Sequence, residues 1–82
     1  MNIMITDEFK TETARGATYT VGNTCAFVSI RYDGVVNVCK KNAAHRVWKG
    51  CGKFFSSAGE ALAGYKSPEM RTIIRVACNL DG

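Results

Sequence analysis

The sequence predicts an α+β domain: a three- to four-stranded antiparallel sheet followed by two short helices packed on one of its faces. Three observations carry this. Residues 17–41 hold β-rich runs with period-two alternation around an Asp33-Gly34 turn. After Ser57 the apolar spacing changes to the i, i+3, i+4, i+7 pattern of a helix. Ser67-Pro68-Glu69 then places an N-cap residue, a first-turn proline and a first-turn acid in succession.

The 82 residues make one domain, 1–82, whose small core buries about 60–65% of the unfolded surface. Residues 1–16 mix acids, threonines and glycine without a clear period, and read as a loosely ordered lead-in with at most one short strand. In Ala17–Val21, Ala17, Tyr19 and Val21 share one side. Tyrosine and β-branched residues at that period make a strand, which Gly22-Asn23-Thr24 ends. As an edge strand, Ala17–Val21 offers a pairing surface to a second copy, so both monomer and homodimer are open.

Asp-Gly between two β-rich runs is the preferred two-residue type I′ turn. That turn sets Tyr32 against Val35, Ile30 against Asn37 and Val28 against Cys39. The core face would then carry Ala26, Val28, Ile30, Tyr32, Val35 and Cys39. Arg31 and Lys40 would share the other face. Cys25 and Cys39 would point to opposite faces, too far apart for a bridge whose Cβ atoms must lie within ~4.5 Å.

His45–Lys49 reads as a third, short strand, and Gly50-Cys51-Gly52 interrupts it as a bulge or a turn. Ser57-Ala58-Gly59-Glu60 fits a capping box, with Glu60 reaching back to the cap, and Ala58, Ala61, Leu62 and Tyr65 form the buried stripe that follows. Met70, Ile73, Ile74, Ala77 and Cys78 form the stripe of the second helix, with Arg71 and Arg75 opposite.

Charge is the most localised feature. Arg31, Lys40, Lys41, Arg46, Lys49 and Lys53 stand against Asp33 alone, so residues 31–53 sum to +5 while the whole chain carries +4. A concentrated basic field attracts phosphate or acidic protein surface, or simply keeps the domain soluble. Arg31, Lys40, Lys41, Arg46, Trp48, Lys49 and Lys53 are the candidate contact residues. Trp48 serves either as a contact or as a cap on the small core.

Signatures of catalysis are lacking. One histidine and seven acids are thin material for acid–base chemistry, so the chain is not expected to be an enzyme. Lys49 and Lys53 would lower the Cys51 thiol pKa, but a reduced loop cysteine explains that residue as well. Cys39, His45 and Cys51 lack the closely paired spacing of a structural zinc site, so no metal or cofactor is expected. No run approaches the ~18 apolar residues of a membrane span, and Met1–Lys10 lacks the basic and apolar regions of a secretory leader. Cytoplasmic location with reduced cysteines follows as the expectation.

Two resemblances add to this. His45-Arg46-Val47-Trp48-Lys49-Gly50, Phe55, Glu60-Ala61 and Tyr65 resemble the strand and helix of plant ethylene-response-factor DNA-binding domains. That resemblance covers residues 45–65 and implies direct DNA binding through the sheet, with Arg46 and Trp48 as contacts. The Gly50–Lys53 insertion and the helix break at Ser67-Pro68 depart from the pattern. In general character the chain also resembles small accessory proteins of bacteriophages and mobile elements, the anti-CRISPR proteins among them. This implies a non-enzymatic inhibitor docking on a host protein or ribonucleoprotein in the host cytoplasm through the basic sheet face. Direct DNA binding is the alternative.

Overall fold

The structure, a computed structural model, describes residues 2–42, 47–48 and 52–80. It is the expected α+β arrangement with more strands. The elements in order are β1 (Met4–Lys10), β2 (Ala14–Val21), β3 (Thr24–Arg31), β4 (Val36–Asn42), β5 (Val47–Trp48), β6 (Lys53–Phe55), α1 (Ala58–Ala63) and α2 (Pro68–Ala77). The sheet is antiparallel throughout and runs β1-β2-β3-β4, with β5 and β6 pairing along separate parts of the far edge of β4. Both helices lie on one face.

The lead-in is a regular strand for much of its length. β1 pairs with β2 from Met4↔Thr20 to Lys10↔Arg15, interrupted by a bulge between Thr6 and Phe9 where Asp7 adopts φ 51°. The hydroxyl of Thr11 closes the connection, accepting from the Ala14 N–H at 3.1 Å and the Thr13 N–H at 3.3 Å. β2 is therefore paired on both sides, and the open edge expected at Ala17–Val21 belongs to β1 instead.

The β3–β4 hairpin differs from expectation by one residue. Ile30 pairs with Val36, Val28 with Val38 and Phe27 with Cys39. Three residues, Tyr32 to Gly34, close the loop: the Arg31 N–H bonds to the Val35 carbonyl at 2.8 Å, and the Gly34 N–H to the Arg31 carbonyl at 2.9 Å. Gly34 takes φ 102°, which lets a tight turn end in a left-handed residue as three-residue hairpins require. Because strand side chains alternate, this single step turns β4 over. Val36 and Val38 enter the core beside Ala26 and Val28, while Tyr32 is left exposed.

Buried residues from β2 (Ala17, Tyr19, Val21), β3 and β4 form one layer of the core. Ala61 of α1 and Met70, Ile73, Ile74 and Ala77 of α2 form the other. Full burial of a valine, isoleucine or methionine contributes roughly 1.5–3 kcal/mol, so this layer dominates stability. The caps define the helices. The Ser57 hydroxyl accepts from the Glu60 N–H at 3.1 Å, and the Ser67 hydroxyl accepts from the Met70 N–H at 3.4 Å. Glu60 reaches one residue further back than expected, accepting from the Ser56 N–H at 3.1 Å and from the Ser56 hydroxyl. α2 ends with Asn79 at φ 56°; the Leu80 N–H bonds to the Arg75 carbonyl at 2.9 Å and the Asn79 N–H to the Val76 carbonyl at 3.2 Å. Arg71 does not simply face solvent: its guanidinium donates to the carbonyls of Leu62 at 3.0 Å and Tyr65 at 3.3 Å, at the C-terminal end of α1 and just beyond it.

Candidate binding face

The helices cover one face of the sheet and leave the other open. On the open face the register sets Phe9 of β1 beside Gly16 of β2, and Thr18 of β2 beside Phe27 of β3. The Phe9 and Phe27 rings stack, with centroids 5.8 Å apart and planes 11° from parallel. Glycine at position 16 makes room for this: a Cβ there would lie 2.5 Å from the Phe9 ring and 2.9 Å from the Val28 carbonyl oxygen. The stacked pair shields the sheet beneath, and Thr18 is only 7% exposed. Phe54, opposite Asn37, is 68% exposed on the same face, about 12 Å from Phe27 by strand spacing and rise. From β1 to β4 the open-face rows contain threonines, cysteines, Ser29, Asn37 and Arg31, and no carboxylate.

Among the described residues, Arg31 does not share a face with Lys40 and Lys53. Arg31 ends β3 and donates to the Asp33 carboxylate at 2.6 Å, so its charge is compensated within the turn. Lys40 pairs with Ala26 and Lys53 with Val38, which places both in rows of the helix-covered side. The charge of Lys40 reaches Glu69 at the start of α2. The Ser67 hydroxyl and a backbone N–H hold that carboxyl below its usual range, and Lys40 adds to the effect. The expected sharing of a face by Arg31 and Lys40 is thus overturned by the one-residue register step. Roughly 20 Å of strand also separates the turn from the far end of β4. Lys41 pairs with Cys25 on one side and Trp48 on the other. His45, Arg46, Lys49 and Cys51 lie outside the described residues, as does the choice between core and contact for the Trp48 side chain.

Cys25, Cys39 and Cys78 are thiols. The register puts Cys25 and Cys39 on the same open face rather than opposite faces, but diagonally, at ~7–8 Å, still beyond the reach of a disulfide. Burial pushes the Cys78 thiol pKa up, with Arg15 opposing, which holds it as the poorly nucleophilic thiol. Among the described residues no three metal-ligating side chains converge, and no helix is long and apolar enough to cross a membrane.

A second feature lies on the helix-covered side, beyond α2, where only β1 and β2 form the wall. Lys10 and Arg15 are direct cross-strand neighbours there. With Glu8 and Tyr19 they line an open cleft of about 390 Å³. Burial raises the Tyr19 hydroxyl above its ordinary range, Arg15 lowers it, and Glu8 and Cys78 raise it, which places these groups within one electrostatic neighbourhood.

Sequence reasoning passed over Phe9, Phe54, Lys10 and Arg15 as site residues, whereas Phe27 is expected on the face of Arg31 as an aromatic that could share it. Gly16, next to the strand expected at Ala17–Val21, becomes a signal once that strand is extended back to Ala14, since an interior strand glycine marks close approach of another group. No family model, curated protein or solved structure matches the chain.

Proposed function

We propose that this chain is a non-enzymatic binding protein that docks on a host protein or protein–nucleic acid complex through the open face of its sheet. It would be an inhibitor of the kind bacteriophages direct at host complexes, CRISPR effectors included. One observation carries the reading: the helices close only one side of the sheet, and the other presents an aromatic cluster in rows without a carboxylate. Aromatic side chains supply most of the energy in many interfaces, and freedom from acids suits a negatively charged partner.

Direct binding of nucleic acid by the same face is the second reading, favoured by the Phe9–Phe27 stack and exposed Phe54, because bases stack on such rings. Affinity capture from host lysate, run beside binding to single-stranded and duplex DNA, separates the two. Phe54→Ser combined with Phe27→Ala is expected to abolish capture, while Lys53→Glu, on the covered side, leaves it intact. Direct DNA binding predicts affinity falling steeply with salt. Capture unaffected by the double variant would remove the open face from consideration.

A further inference from the structure

Phe9 and Gly16 are also in the lining of the Lys10–Arg15 cleft, but what the cleft shows does not depend on the docking reading. Like charges directly across a strand pair destabilise it. Yet Lys10 and Arg15 occupy such a pair, and neither forms an ion pair among the described residues. A β hairpin gains nothing from this arrangement by itself. The two cations flank an open cleft of about 390 Å³, within the size range of small-ligand sites. Ala17 and Tyr19 are also in its lining, and a tyrosine hydroxyl can donate to an oxyanion. Glu12 does not line the cleft, and Glu8 is the one carboxylate that does, so Lys10 and Arg15 leave the lining with one net positive charge.

We propose that this cleft is a binding site for a small phosphate-bearing ligand, with Arg15 and Lys10 as its two cationic contacts and the Tyr19 hydroxyl as a neutral donor. A phosphomonoester offers three terminal oxygens to two adjacent cations and a phenolic donor, more than the two of a carboxylate or of a backbone phosphodiester. A guanidinium can also engage two phosphate oxygens at once, and an ammonium adds a point charge beside it. Glu8, on the same wall, sets an upper limit on affinity by opposing the ligand's charge. The phosphate could belong to a free monoester or to a nucleic-acid backbone, and the two are distinguished by experiment.

The test is a titration of the full chain followed by amide chemical shifts, at constant ionic strength balanced with chloride, with AMP in one arm and a short single-stranded oligonucleotide lacking a terminal phosphate in the other. Saturable shifts confined to residues around Lys10, Arg15 and Tyr19 are expected with AMP. Arg15→Gln and, separately, Lys10→Gln should each weaken binding at least tenfold, and Glu8→Gln should tighten it. Lys10 is exposed, so its variant tests the site even if Arg15→Gln disturbs folding. Tighter, equally Arg15-dependent binding of the oligonucleotide would support the site and assign its phosphate to a nucleic-acid backbone. Non-saturating shifts, shifts spread over the surface, or affinities unchanged in both cation variants would overturn the proposal. Loss of capture through Phe54 with no phosphate binding here would leave the docking reading intact and this one refuted.

Discussion

The two faces of the sheet are built by different means. The covered face is packed with small and branched aliphatic side chains from three strands, sealed by Met70, Ile73, Ile74 and Ala77 of α2. The open face relies on one pair of stacked rings laid across a glycine, with a third ring, Phe54, standing free of them. The first face is what makes the chain fold, because burial of many aliphatic groups is the main favourable term in so small a domain. The second protects part of the sheet yet keeps a large aromatic in solvent, where it stabilises little and can serve recognition.

Substitutions can break that contrast. The largest effect is expected for Ile73→Ala on the covered face: a loss of about 2–5 kcal/mol in urea unfolding, enough to threaten folding altogether. On the open face Gly16→Ala should cost about 1–3 kcal/mol, since the added methyl meets both the Phe9 ring and the fixed Val28 carbonyl. A neutral result there would show that the ring stack is loosely held. Phe54→Ser should change stability by no more than about 0.5 kcal/mol while affecting partner capture. If it destabilises strongly, Phe54 is structural and the faces are less distinct than described. Smallest is Glu60→Gln. Hydrogen bonds from Ser56 lower the folded pKa of Glu60, so its contribution is present above the ordinary carboxylate range and is lost as pH falls through the folded value. The variant should therefore show a slightly flatter acid limb in stability against pH, with no change in the core variants' ranking.

How far the sequence revealed this depends on which signals were local. α2 was legible in full, because Ser67 and Pro68 fix its start and the spacing of Met70, Ile73, Ile74 and Ala77 fixes its face. The hairpin was legible as a hairpin but misread in register. Asp-Gly serves a two-residue loop and also the end of a three-residue one, and only the backbone bonds of Arg31 decide between them. Once β4 turns over, Lys40 moves to the face opposite Arg31, so that part of the expected grouping inherited the error of one residue. β1 gave no period because every residue in it is exposed, and its aromatic contact crosses to β3 rather than to a sequence neighbour. Cross-strand pairs such as Lys10 with Arg15 become visible only once register is known.

Arg71 has a consequence for motion. Six residues are too few for α1 to persist alone in water. The guanidinium of Arg71 holds the carbonyls of Leu62 and Tyr65 from a neighbouring helix, so α1 is tied to α2 at the end where it would otherwise fray. The two helices then open as a single cooperative unit, and the amides of α1 exchange with solvent at the rate of α2 rather than at that of an isolated turn. Any partner that pries α1 from the sheet must also work against the sealed core beneath α2.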